Sequence, residues 1–124
     1  IKKWKAFLKP GGYLAVSEIT WTTQSRPAEI ENHWQSEYPE IDTASVKIRI
    51  LEENGFSPVG YFVLPESSWM NYYEPIEARI DAFLEKHHHS PDAQRIVDGE
   101  KNEIRIYRKY KDFVSYGFYI VRKL

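Results

Sequence analysis

The sequence predicts an α/β fold in which helices alternate with strands that share one largely covered sheet. Three observations carry this expectation. The runs at 13–16 and 59–64 are apolar at consecutive positions, as strands covered on both faces are. Helical periodicity fills the segment between them, and a further apolar, aromatic run stands at 116–121. The 124 residues are the size of one domain.

The elements follow in order. Ile1, Trp4, Phe7 and Leu8 fall at helical spacing, with Lys2, Lys3, Lys5 and Lys9 at the other positions, which describes the last turns of an amphipathic helix. Pro10-Gly11-Gly12 stops it, and lysines there are favoured by the negative pole of the helix dipole. A central, parallel-type strand follows over 13–21. Thr22 to Arg26 is a polar turn, Pro27 fits a first helical position, and Ile30, Trp34 and Tyr38 recur every four residues until Pro39. Asp42 or Thr43 can cap a second helix whose apolar side is Val46, Ile48, Ile50 and Leu51, with Asn54-Gly55 as its left-handed exit. Pro65 ends the next strand, and strand, helices and strand read as one βαβ crossover. From Glu66 the pattern changes. Pro75 opens a helix carrying Ile76, Ile80, Phe83 and Leu84, Ser90-Pro91 caps another with Ile96 and Val97, and 103–111 fits helix better than strand.

Leu8-Lys9-Pro10-Gly11-Gly12 leading at once into a hydrophobic strand resembles the late motif of class I S-adenosylmethionine-dependent methyltransferases. There a helix ends, Pro-Gly-Gly turns the chain and the fifth strand begins. Two glycines allow the positive φ and close backbone approach that so abrupt a reversal needs. The order that follows is similar to the C-terminal half of that fold. The resemblance implies a Rossmann-like methyltransferase sheet built as helix–strand–helices–strand–helical insertion–final antiparallel strand. Residues 1–124 would be the C-terminal part of one domain and 66–113 the insertion. It also implies S-adenosyl-L-methionine as cofactor, held mainly by an N-terminal half. The glycines at 11, 12, 55, 60, 99 and 117 contain no G-x-G, so no cofactor-binding residue is expected within this chain. The chain starts at Ile1 without an initiator Met, and it reads like the middle of a protein.

Ligands of open α/β sheets bind beyond the carboxyl ends of the strands. Glu18, Thr20 and Trp21 fall at that end of the first strand. Glu18 is a candidate to orient an acceptor or take its proton, and His33 a weaker one for the same work; a cap or ion pair for Glu18 and a structural role for His33 are the competing readings. Trp21, Trp69, Asn71, Tyr72 and Tyr73 are candidates for a substrate wall, the last three in an expected loop, against the alternative that the aromatics are packing. His87-His88-His89 suggests a metal, but successive helical residues point about 100° apart, so a polar helix end is the better account and no metal is expected. Arg105, Arg108, Lys109 and Lys111 are interleaved with Tyr107 and Tyr110, yet Glu100, Glu103 and Asp112 dilute them into a solvated helix face.

The expected function is methyl transfer to a small-molecule acceptor by the longer protein, this chain supplying sheet core and acceptor wall. The alternative is a non-catalytic, standalone α/β binding or interaction module. With no Cys, thiolate chemistry and disulfides are excluded. The net charge of -1, even along the chain, argues against nucleic acid as partner. No apolar run is long enough for a membrane span and no signal peptide is visible, so the expected compartment is the cytoplasm. The expected partners are the acceptor and the N-terminal half of the same domain, with self-association left open.

Overall fold

The computed structural model describes residues 6–124. The opening helix falls mostly on residues 1–5, outside the described residues, and Ala6 to Leu8 form turns and a bend. Two units can be distinguished: the chain up to Leu64 together with Asp112–Leu124, and Pro65–Lys111.

The first unit holds a four-stranded sheet. Its strands are β1 (Tyr13–Trp21), β2 (Asp42–Thr43), β3 (Phe56–Val63) and β4 (Val114–Lys123), in the order β2-β1-β4-β3. β1 and β3 both pair antiparallel with β4, so they run parallel to each other, and the short β2 is parallel to β1. The expected crossover is present, from β1 to β3. Its two strands share a direction but are not neighbours, because β4, contributed by the end of the chain, lies between them. A crossover fixes direction, not adjacency. Two helices, α1 (Ala28–Glu37) and α2 (Ala44–Glu53), connect β1 to β3.

The turn before β1 is tied to the far end of the chain. Gly11, at φ 83°, donates its N–H to Lys123 O at 2.7 Å, and Lys123 donates back to Gly12 O at 2.8 Å. After α2, Gly55 takes φ 87°, the left-handed exit expected there. β3 begins earlier than its apolar run, at Phe56, and carries a bulge between Pro58 and Gly60. An edge strand tolerates both proline and bulge because its outer side owes no ladder bonds. Asp42 and Thr43 form β2 instead of supplying a cap: Thr43 is the N-cap of α2 but makes no side-chain cap bond.

One core cluster of this unit lies on the face of the sheet that meets α2. Leu51 of α2 packs with Phe56, Tyr119 and Val121, flanked by Leu8, Leu14, Val16, Ala44 and Ile48. Burying such side chains stabilises by about 1.5–3 kcal/mol each. Residues directly paired across strands share a face. By that rule Tyr13, Ala15 and Ser17 share the opposite face with Ile120 and Phe118. There Tyr13, Ala15 and Ser17 are exposed, and Phe62 stacks on Phe118 with ring centroids 4.8 Å apart while remaining exposed itself. The first half of β1, expected to be covered on both sides, is thus open on one. Among the described residues it is open on its outer edge as well, since β2 pairs with Thr20 and Trp21 alone.

The second unit is a pair of helices, α3 (Glu66–Lys86) and α4 (Pro91–Tyr110). Pro75 does not open a helix; it lies inside α3. The missing N–H and ring clash of an interior proline cost about 3 kcal/mol, which is why a break was the natural expectation. Burial at Trp69, Tyr73, Ile80 and Leu84 runs along one stripe through the proline, and that packing holds the helix together. Ser90 caps α4 as expected, accepting from Ala93 N at 3.2 Å. Ile80, Leu84, Ala93 and Val97 form the core. No helix among the described residues is long and apolar enough to cross a membrane.

Candidate functional site

Glu18 occupies the second half of β1 on the face that packs against α2, where it stands half-buried. It is not alone there. Tyr38, the residue that ends α1, donates its hydroxyl to Glu18 Oε2 at 2.6 Å and reaches Glu40 Oε2 at 3.2 Å. The Glu18 hydrogen bond, burial and the neighbouring negative charges of Glu18 and Glu40 push the Tyr38 hydroxyl far above its ordinary pKa. It therefore stays protonated and serves as a hydrogen-bond donor, not a base.

Lys47 of α2 is buried and donates its ammonium to Glu40 O at 2.7 Å, 5.4 Å from the centroid of the Tyr38 ring. On the inner side, Thr20 Oγ1 donates to Glu18 O at 2.9 Å, which spends its only proton. The 2.7 Å bond between Thr20 and Tyr119 is therefore donated by the tyrosine. Burial, joined by the negative charges of Tyr61 and Glu18, leaves the Tyr119 pKa pushed up to about 12. Gly117, paired across from Glu18, makes room for this arrangement. A Cβ there would stand 2.8 Å from Thr20 Oγ1, 2.9 Å from Tyr61 and 3.0 Å from the Tyr119 hydroxyl. Beside these groups lies a cavity of about 370 Å³ lined by Val16, Glu18, Glu40, Lys47, Ile50, Leu51 and Tyr119.

The other sequence candidates are placed differently. His33 sits half-buried on α1, edge-on to Trp34 at 5.3 Å, and has no recorded contact with Glu18. Trp21 is buried, and the Arg26 guanidinium lies 4.3 Å over its ring, so that face is already occupied by a cation of the chain itself. Arg26 is further held by Thr23 O at 2.9 Å and faces Glu31 at 3.4 Å.

Asn71, Tyr72 and Tyr73 are in α3, not in a loop, because the helix runs through Pro75. Trp69 and Tyr73 are buried in a mutual aromatic stack with Tyr107 of α4, at centroid distances of 4.8 to 6.0 Å, and Tyr73 donates to Glu103 at 3.1 Å. Asn71 and Tyr72 are exposed. His87, His88 and His89 form the exposed end of α3, the last two at φ 55° and 52°. Among the described residues no group of His, Cys, Asp or Glu is arranged to hold a metal ion. Arg108 makes a two-pronged ion pair with Glu77 at 2.5 and 2.8 Å, and Lys111 pairs with Glu66 at 2.8 Å, both exposed.

Tyr38, Glu40 and Lys47 were not singled out from the sequence. A Tyr-Pro-Glu run closing a short helix carried a signal for a turn, not for a partner of a strand residue twenty positions earlier.

No family model and no curated protein matches this sequence. Solved structures do match it in shape. A SAM-dependent methyltransferase from Geobacter sulfurreducens, in complex with S-adenosyl-L-homocysteine, superposes with a TM-score of 0.75 at 13% identity, over 94% of this chain and 48% of that one. Phosphoethanolamine N-methyltransferase 2 of Haemonchus contortus gives 0.74 at 15% identity, over 98% of this chain and 28% of that one. The [4+2]-cyclase SpnF gives 0.63 at 21% identity, over 98% and 42%. The chain thus spans about half the length, or less, of these structures. At such identities the likeness is one of fold. This chain has the fold of part of an S-adenosylmethionine-dependent methyltransferase domain, with antiparallel β4 between β1 and β3.

Proposed function

We propose that this chain is the acceptor-side half of an S-adenosylmethionine-dependent methyltransferase acting on a small molecule, the cofactor being held mainly by a half outside the chain. The single observation that carries the reading is the open side of the sheet. Among the described residues the first half of β1 has an unpaired outer edge and an uncovered face with Tyr13 and Ala15 on it, in a chain matching about half of a methyltransferase structure. An unpaired edge and bare apolar surface call for covering structure.

Methyl transfer is a direct displacement in which the acceptor atom approaches the methyl carbon in line with the departing sulfur. The protein's work is then alignment and exclusion of water more than nucleophilic catalysis. In this chain Glu18, held by Tyr38 beside the cavity, is the group we assign to orienting the acceptor or receiving its proton. His33 has no comparable setting, and we assign it no proton transfer. Of the proposed wall residues, Asn71 and Tyr72 have free surface to offer a ligand, whereas Trp21, Trp69 and Tyr73 act by shaping what lies around them. The proposed compartment is the cytoplasm.

The test is calorimetry with S-adenosylmethionine on two proteins: residues 1–124 and the product of the extended reading frame. The longer protein is expected to bind and the short one to bind poorly. Tight binding to residues 1–124 would overturn the division of labour, and absence of binding to the longer protein would overturn the methyltransferase reading.

A further inference from the structure

One carboxylate in the first unit is set up for something it does not hold. Glu18 is half-buried, and among the described residues its recorded side-chain partner is the Tyr38 hydroxyl on Oε2. Among the described residues no Lys, Arg or His nitrogen pairs with it. The nearby cation, Lys47, is committed elsewhere: its ammonium is on the backbone carbonyl of Glu40 and against the Tyr38 ring. A half-buried carboxylate with one hydrogen bond and no counter-ion is costly unless something completes it. Beside it is a cavity of about 370 Å³ whose remaining wall is largely apolar, from Val16, Ile50, Leu51 and Tyr119. That volume is in the range of small-ligand sites. The formal charges on the lining, Glu18 and Glu40 against Lys47, leave an excess of one negative charge. An anionic ligand is disfavoured and a cation favoured.

We propose that this cavity binds a small, partly apolar ammonium compound whose N–H groups bond Glu18 Oε1, with Tyr38 as the positioning residue that fixes the carboxylate through Oε2. This rests on the reading of the chain as an acceptor-side half and narrows the acceptor class to amines. Tyr38 can do this because its hydroxyl donates to Glu18 and remains protonated, so it holds the carboxylate without competing for the ligand's protons. The apolar wall receives the ligand's carbon skeleton.

The experiment is a titration of the isotope-labelled protein followed by amide NMR, with three probes of one shape: phenethylammonium, 2-phenylethanol and phenylacetate. Phenethylammonium is expected to give saturable shifts at Glu18, Tyr38, Lys47 and Leu51, 2-phenylethanol weaker ones and phenylacetate none. Glu18→Gln should weaken ammonium binding about tenfold or more and bring it level with the alcohol, since a hydrogen bond to a charged group is being made neutral. Tyr38→Phe should weaken it by a smaller factor while the preference for ammonium over alcohol persists, which a purely structural role would not leave selective. Equal response to ammonium and carboxylate, shifts confined to other surfaces, or unchanged binding in Glu18→Gln would each overturn the proposal. The comparison of probes on the unsubstituted protein decides the matter even if a variant fails to fold. None of these outcomes bears on S-adenosylmethionine binding by the longer protein, so the two readings fail separately.

Discussion

The two units bury their apolar side chains in different ways. In the helical pair Pro65–Lys111 the stripes of two helices meet: Ile80 and Leu84 of α3 contact Ala93 and Val97 of α4, and Trp69 and Tyr73 stack with Tyr107. The sheet unit has its α2 side filled by Leu51 against Phe56, Tyr119 and Val121, while on the other side Ile19 and Trp21 are buried but Tyr13, Ala15 and Phe62 remain in solvent. A helix has one stripe to bury, and one partner satisfies it. A sheet has two faces, and its core is complete only when both are covered.

The strongest way to break the comparison is to empty the core that α2 covers. Phe56 is 1% exposed and sits where β3 meets α2. Phe56→Ala is expected to cost about 3–5 kcal/mol, the range for truncating a buried phenylalanine. A core with a single layer of covering helix has few neighbours that can close the hole. Amide hydrogen exchange should then show protection lost across β1, β3 and β4 while the amides of α3 and α4 keep theirs. Equal loss in both units would show that they unfold as one and that the distinction is only geometric.

Much of the sheet unit was legible from residues because its signals are local. Pro10-Gly11-Gly12 announced a reversal into a strand, Asn54-Gly55 a helix exit, and the consecutive apolar runs their strands. What could not be read was adjacency. Nothing within β1 or β3 says that β4 comes between them, since pairing with a distant segment near the end of the chain leaves no periodic trace in either strand. In the helical unit the error ran the other way. A single strong local signal, Pro75, was allowed to outweigh the stripe Trp69, Tyr73, Ile80 and Leu84, which continues in register on both sides of it. That misplacement carried Asn71, Tyr72 and Tyr73 into a loop. At the candidate site, Glu18 was legible as a carboxylate at the end of a buried run. Its partners Tyr38, Glu40 and Lys47 were not, because each lies in a different short element whose own pattern speaks only of turns and helix faces.

Alkaline pH offers a second, milder way to sharpen the contrast. Tyr119 is 1% exposed and its folded pKa is pushed up to about 12, from an ordinary value of 10.0, chiefly by burial. Folding favours the neutral phenol. The associated stability is fully present below pH 10 and is lost as the pH rises through about 12. Tyr61, in ring contact with Tyr119 and also raised by burial, adds in the same direction. Urea midpoints measured from pH 8 to 11.5 should fall over the upper part of that window, and Tyr119→Phe should flatten the fall. A pH dependence identical in Tyr119→Phe would place the sensitive phenols elsewhere in the chain.

The smallest expected effect lies in the helical unit. Ser90 precedes Pro91, which stands at the first helical position, and its side chain accepts from Ala93 N at 3.2 Å. Without that acceptor the N–H of Ala93 is left without a side-chain partner in the first turn, next to the buried Ala93 methyl. Ser90→Ala is expected to cost about 1 kcal/mol, typical for loss of an N-cap. The proline keeps φ preset for the helix, which limits the damage to the hydrogen bond itself. Hydrogen exchange should localise the effect to the first turn of α4 and leave β1 to β4 unchanged. Spread of the effect into the sheet would mean that the start of α4 is coupled to the core that α2 covers, and the two units would then have to be treated as a single cooperative structure.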